Sequence, residues 1–274
     1  MKSLGAIAGA FALAAINLPG AASAADLPAV PYVAPVEAAA FVGWYLRGFI
    51  GMSNQQVDRI HHPQMDLPDL LDFINEPEFD SGVFFGGGVG YQFNSWFRTD
   101  ITGEYRGKTS FSALDRYDSD DTGNDVWDGT NDYRSKKSEW LVLANAYFDL
   151  GTWHGFTPYV GAGAGAARVT IHDFSDTNVV TDGIAYAGTA SKWNFAWALH
   201  AGMSYAVTPN FKIDLAYRYL DMGDGETGTL RTYLGECSFC EPVKFENITS
   251  HDVMLGVRWS FGGGGHDDYV VAKY

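Results

Sequence analysis

Segments that alternate apolar and polar residues with period two are joined by links that switch between very short and very long. In Phe211 to Tyr219, the residues Phe211, Ile213, Leu215, Tyr217 and Tyr219 share one face and Lys212, Asp214, Ala216 and Arg218 the other. Val253 to Phe261 splits in the same way, with Val253, Leu255, Val257, Trp259 and Phe261 opposite Asp252, Met254, Gly256, Arg258 and Ser260. Such strands belong to an antiparallel sheet with two unlike faces, and alternation alone does not say whether water or lipid lies outside. The rhythm of the links narrows the choice, because a sheet whose long connections all fall at one end reads as a barrel with two unlike rims.

Eight strands are predicted: Trp44–Met52, Val83–Phe93, Trp96–Arg106, Trp140–Leu150, Thr157–Ile171, Trp193–Val207, Phe211–Tyr219 and Val253–Phe261. Short turns fall at Asn94-Ser95, Gly151 to Phe156 and Thr208-Pro209-Asn210. Long polar links are expected over 54–80, 112–138, 172–191 and 221–250. An even strand count puts both termini on the short-turn side, and in outer-membrane barrels the short turns are periplasmic and the long loops extracellular.

Energy sets the register. In the third strand Arg98, Asp100, Thr102, Glu104 and Arg106 share one face. Turning that face to lipid would cost about 2–4 kcal/mol for each mid-membrane Arg or Lys, so it must look inward. A soluble lipocalin-like barrel would require the reverse. Aromatic placement favours lipid outside: Trp44, Phe93, Trp96, Tyr205, Phe211, Trp259 and Phe261 lie at the short-turn ends, and Trp140 and Trp193 at the long-loop ends. Two belts at opposite strand ends match two membrane interfaces.

Residues 1–24 read as an export signal, with Lys2, an apolar run from Leu4 to Leu18 and small residues at Ala22-Ser23-Ala24. No stretch reaches the roughly 20 apolar residues of a spanning helix, so a closed barrel is the remaining way to sit in a bilayer. The organisation that follows is a proline-containing periplasmic linker at 25–43, a barrel at 44–261 and a glycine-rich periplasmic tail at 262–274. A net charge of -15 argues against nucleic acid or anionic lipid headgroups as electrostatic partners. The only two cysteines, Cys237 and Cys240, stand as C-x-x-C in an exported chain, where a local disulfide bracing one loop is expected.

Three stretches carry a resemblance: Thr157-Pro158-Tyr159-Val160-Gly161-Ala162-Gly163, the run Asp214 to Gly223 (DLAYRYLDMG), and Ser250 to Arg258 (SHDVMLGVR). With Gly43-Trp44-Tyr45 after the proline-dotted linker, they resemble the small outer-membrane β-barrel proteins, the "porin family" of alphaproteobacterial surface antigens. That resemblance spans the barrel and implies an eight-stranded antiparallel transmembrane β-barrel, surface-exposed, without a conserved catalytic site. Gly256, Trp259 and Phe261 are similar to the terminal-strand signal read by the barrel assembly machinery, although such signals commonly end the chain and here 262–274 follow.

The largest polar constellation is the inward set Arg47, Arg98, Asp100, Glu104, Arg106, Asp214, Arg218, Asp252 and Arg258. An eight-stranded barrel is just wide enough for side chains to fill, so these charges are expected to form a salt-bridge network plugging the lumen. Asp118-x-Asp120-x-Thr122-Gly123 fails as a calcium loop, since Gly129 stands where the late carboxylate ligand belongs. His61-His62 reads as a solvated pair, His200 as a lumen hydrogen-bonding group, and Ser250-His251 lacks a matching acid for nucleophilic chemistry. No enzyme activity, cofactor or metal is expected. The expected partners are outer-membrane lipid and lipopolysaccharide, and the assembly machinery during insertion; an extracellular ligand is left open. The expected role is structural, in envelope integrity and surface exposure, with a small diffusion channel or an adhesin acting through acidic loops as alternatives.

Overall fold

The computed structural model describes residues 42–63, 71–118, 127–233 and 240–261. Twelve strands run in chain order: β1 (Gly43–His61), β2 (Leu71–Phe79), β3 (Gly82–Gln92), β4 (Phe97–Tyr117), β5 (Asn131–Asp149), β6 (Phe156–Asn178), β7 (Ile184–Ala187), β8 (Ala190–Thr208), β9 (Phe211–Asp221), β10 (Gly225–Glu226), β11 (Arg231–Thr232) and β12 (Lys244–Phe261). The described residues contain no helix.

Eight of these strands close a ring. Antiparallel ladders join β1 to β3, β3 to β4, β4 to β5, β5 to β6, β6 to β8, β8 to β9, β9 to β12, and β12 back to β1. Closure leaves no unpaired edge within the ring, which is what hydrocarbon demands of backbone amides. The other four strands are short additions at the long-link end: β2 pairs with β4, β7 with β6 and β11, and β10 with β12.

The strands reach well beyond the predicted ends. Residues 54–61, 112–117, 131–138, 172–178 and 244–250, expected as parts of long links, continue the ladders of β1, β4, β5, β6 and β12. The connections at the other end stay short, at 93–96, 150–155 and 209–210.

Between the two belts the wall is apolar outside and charged inside. Ile50, Phe85, Ile101, Val142, Leu199, Leu215 and Leu255 are exposed, whereas Arg98, Glu104, Arg106, Asp214, Arg218 and Asp252 are buried. Inward glycines make room for aromatic rings: a Cβ at Gly90 would stand 2.3 Å from Tyr45 Cζ, and one at Gly161 2.5 Å from Tyr147 Cδ1. Each ring therefore lies flat on the neighbouring backbone, filling the bore without widening it.

Above the long-link belt the polarity reverses on the same strands. The β4–β5 ladder slips between Arg106 and Thr109, so that odd-numbered Phe111 and Ala113 become buried and Lys108, Ser110 and Ser112 exposed. In β6 the change comes at Asp173 (φ 50°), after which Phe174 is buried. In β12 it comes at Asn247 (φ 54°), with Phe245 buried on its far side. Asp and Asn are the non-glycine residues that best tolerate this left-handed backbone. Phe79, Phe111, Phe174 and Phe245 meet inside this upper half, with Phe111–Phe245 centroids 5.0 Å apart and Phe79–Phe245 5.7 Å apart. Met222, Leu230 and Val243, from the segment linking β9 to β12, pack against the same cluster.

Candidate functional site: the closed lumen and the extracellular rim

The inward charges meet across the bore in two layers. In the layer nearer the short turns, Arg47 Nη1 donates to Asp100 Oδ2 (2.9 Å) and to the Tyr147 hydroxyl (2.7 Å). Asn145 Nδ2 donates to the other Asp100 oxygen at 2.8 Å. Arg98 Nε reaches Asp149 Oδ1 at 3.1 Å, and its guanidinium lies 4.0 Å from the Tyr147 ring centroid. Arg258 is held to Asp214 at 2.8 Å and to the Ser204 hydroxyl at 2.6 Å.

The second layer is tighter. Arg106 on β4 spans both Asp252 oxygens on β12, at 2.9 and 2.8 Å. Arg218 on β9 spans both Glu104 oxygens, at 2.8 and 2.7 Å, and donates again to Asp252 Oδ2. These fork-to-carboxylate bonds couple walls that are not neighbours in the ring and fix guanidinium planes that a lysine could not.

All nine lumen charges named from sequence take part, and three further ones join them. Asp149 pairs with Arg98, and Lys137 pairs with Glu139 while donating to Gln55. Asp149 shares its strand parity with Leu141 and Leu143, so no charged stripe marks it. Lys137 lies inside the supposed link 112–138, and Glu139 directly beside it. With them, buried Arg47, Arg98, Arg106, Arg218, Arg258 and Lys137 balance buried Asp100, Glu104, Asp149, Glu139, Asp214 and Asp252 in formal charge. Ions taken out of water cost several kcal/mol each, and mutual pairing offsets this, so the network is better read as a constraint on shape than as net stabilisation.

At the upper rim, Asp115 is fully enclosed. Its Oδ1 accepts from the Asn131 backbone NH (2.7 Å) and its Oδ2 from the Tyr133 hydroxyl (2.6 Å). Asp176 faces the same interior, and its Oδ1 finds no donor among the described residues. Burial pushes the Asp176 carboxyl up to about 7, and the Asp115 charge adds to it. Burial first, then Asp176 and Asp115, lifts the Tyr133 phenol above its ordinary range.

The remaining candidates separate. Ser250 is buried inside the wall, bonded to Arg106 and Asp252, whereas His251 sits on the outer face with its Nδ1 2.6 Å from the Tyr217 hydroxyl. They do not form a pair. His200 is buried and its Nε2 meets Asn145 Oδ1 at 3.1 Å. His62 is buried rather than solvated. Asp120, Thr122 and Gly123 of the rejected calcium loop lie outside the described residues, and among the described residues no group of three or more His, Cys, Asp or Glu is arranged to hold a metal. Cys237 lies outside the described residues, as do 1–24 and 262–274, while Cys240 lies in the described stretch ahead of β12. Trp259 and Phe261 point outward opposite Leu46 and Trp44 of β1, and Gly256 pairs with Phe49.

Comparison with known proteins agrees with this architecture. Residues 9–261 match the family model described as outer membrane protein beta-barrel domain. An uncharacterized protein of Brucella abortus is 34% identical, covering 88% of this chain and 93% of its own. The outer membrane protein PagN of Salmonella typhimurium is 31% identical over 82% of this chain and 92% of its own. A Rickettsia conorii protein named as a candidate adhesin is 32% identical over 63% of this chain and 65% of its own. With its closed ring, its lipid-compatible outer wall and this match over nearly its whole length, the chain belongs to the outer-membrane β-barrel family and is a protein of the Gram-negative outer membrane.

Proposed function

We propose that this chain is a non-conducting outer-membrane barrel that contributes to envelope structure and holds a rigid β-structured rim above the outer leaflet. One observation carries the reading: the interior is obstructed at two heights, first by ion pairs from β4 to β9 and β12, then by the phenylalanine cluster under the β9–β12 connection. A solute path would have to break buried charge pairs and then displace apolar packing. The test is conductance of the purified full chain in planar bilayers. Silent bilayers are expected, and a reproducible conductance altered by Arg218→Gln would overturn the reading.

In this reading residues 1–24 direct export, 25–43 link to the barrel and 262–274 form a periplasmic tail. Gly256, Trp259 and Phe261 serve insertion by the assembly machinery, and Cys237 with Cys240 brace one surface loop. Lipopolysaccharide surrounds the outer half of the wall.

A second role, adhesion through the rim, is favoured by the relative named as a candidate adhesin and by strands that carry the wall well past the aromatic belt. Deleting 119–126 should abolish binding to a host-cell surface while heat-modifiable folding persists. Unchanged binding would remove that acidic stretch of the link expected over 112–138 from the role.

A further inference from the structure

On the outer face, just above the aromatic belt, β1 and β12 carry charges of both signs, with Asp58, Arg59 and Lys244 exposed and Glu246 half-buried. The β4–β6 side carries Lys108, Lys136, Arg168 and His172, with Asp173 beside the histidine. Register sets Lys136 beside His172, with Arg168 four residues along β6. Trp140 is opposite Arg168, which is in turn opposite Trp193 on β8. Lys108 directly precedes Thr109, which stands opposite Lys137 in the β4–β5 ladder; burial and then the Lys108 ammonium hold the His172 imidazole below its ordinary range, with Asp173 pulling the other way.

None of Lys108, Lys136 and Arg168 forms an ion pair among the described residues. Arg134, the next basic residue outward on β5, is by contrast neutralised by Asp132 at 2.7 Å. Hydroxyls floor the patch: Ser138 Oγ is 2.9 Å from His172 Nε2, and Ser191 Oγ is 3.4 Å from Arg168 Nη2. Three cations without an ion pair among the described residues thus gather on the lateral wall of a chain of net charge -15 and offer a binding surface to an anion from outside.

Position selects the anion. Arg168 stands between two belt tryptophans, Trp140 and Trp193, both exposed. Belt aromatics mark the headgroup level of a bilayer, and long basic side chains beside them extend to that interface. The patch faces sideways, toward lipid, and phosphate is the group that arginine and lysine meet at that height. We infer that Lys108, Lys136, Arg168 and His172 form a docking site for the phosphates of a phosphorylated glycolipid of the outer leaflet, of the lipid A type. This inference rests on the outer-membrane location and deepens the lipopolysaccharide partnership; it does not depend on whether the lumen conducts.

Native mass spectrometry of the full chain, folded in detergent, tests it with diphosphoryl lipid A and with the same lipid stripped of phosphate. The triple variant Lys108→Gln, Lys136→Gln, Arg168→Gln should retain diphosphoryl lipid A at least roughly tenfold less than wild type, given the attraction of each basic residue for an anionic surface. Arg59→Gln with Lys244→Gln, on the opposite wall, should leave retention unchanged. Dephosphorylated lipid should bind every form equally weakly. Heat-modifiable mobility confirms that each variant is folded, and Arg168→Gln alone serves if the triple variant is not. Equal retention by the triple variant, or equal loss in the opposite-wall variant, would overturn the site. A sulfated oligosaccharide that binds the patch more tightly than diphosphoryl lipid A would overturn the assignment to lipid. A conducting barrel with intact lipid selectivity would refute the non-conducting reading and leave this one standing.

Discussion

The lower and upper halves of this barrel are built from the same strands yet solve opposite problems. Between the belts, Ile101 and Leu255 face outward and Arg106, Arg218 and Asp252 inward. Above the belt, Lys108 and Ser110 face outward while Phe111 and Phe245 are buried. What changes is the medium outside: lipid penalises charge and tolerates leucine, and water does the reverse. Local backbone irregularities after Arg106 and at Asp173 and Asn247 let a strand exchange its faces without leaving the ladder. Here the outward surface changes from apolar to polar within a few residues of the same strand.

Removing a shared partner should strike the lower half hardest. Asp252→Ala strands Arg106 and Arg218 without their common carboxylate, and a cost of about 3–5 kcal/mol is expected from breaking a buried pair. Urea unfolding of the detergent-folded protein, followed by heat-modifiable mobility, reads it. Phe245→Ala should cost about 3 kcal/mol or more, but in the other half. Hydrogen exchange should rise in β2, 111–117 and 244–248 and stay slow around Arg98 and Asp214. Uniform loss of protection would show that the halves unfold as one unit.

A smaller effect comes from pH. Because the folded Asp176 carboxyl is raised to about 7 from an ordinary 3.8, the fold favours its protonated form. Rim stability is therefore fully present below the ordinary value and is lost as pH rises through about 7. Discounted for partial solvent access, this amounts to roughly 1–2 kcal/mol. Limited proteolysis of the rim should quicken between pH 6 and 8 in the wild type, and Asp176→Asn should flatten the profile. A wild type as resistant at pH 8 as at pH 6 would remove Asp176 from the stability of the rim.

The membrane half was legible because period two and the cost of lipid-facing charge act on it together: Arg98 to Arg106 declare their face from sequence alone. The rim was not, for the same reason. Residues such as Gln55 and Ser112 look like loop when the rule is apolar outside, although they continue β1 and β4. The slips after Arg106 and at Asp173 break the phase that a periodic reading follows, and they hid Phe111 and Phe174 as interior residues, whereas Lys137 was hidden by lying within the link expected over 112–138. The phosphate-docking patch was equally hidden, since its members come from β4, β5 and β6 and only the register brings them together.

The account stands most directly on one comparison within β4. Ile101 and Ser110 both face outward, one between the belts and one above the irregularity after Arg106. Folding free energies of Ile101→Arg and Ser110→Arg should differ sharply: about 2–4 kcal/mol lost at Ile101, where arginine would meet the middle of the bilayer, and within about 0.5 kcal/mol of wild type at Ser110. Equal losses at the two positions would contradict an exchange of faces at the aromatic belt.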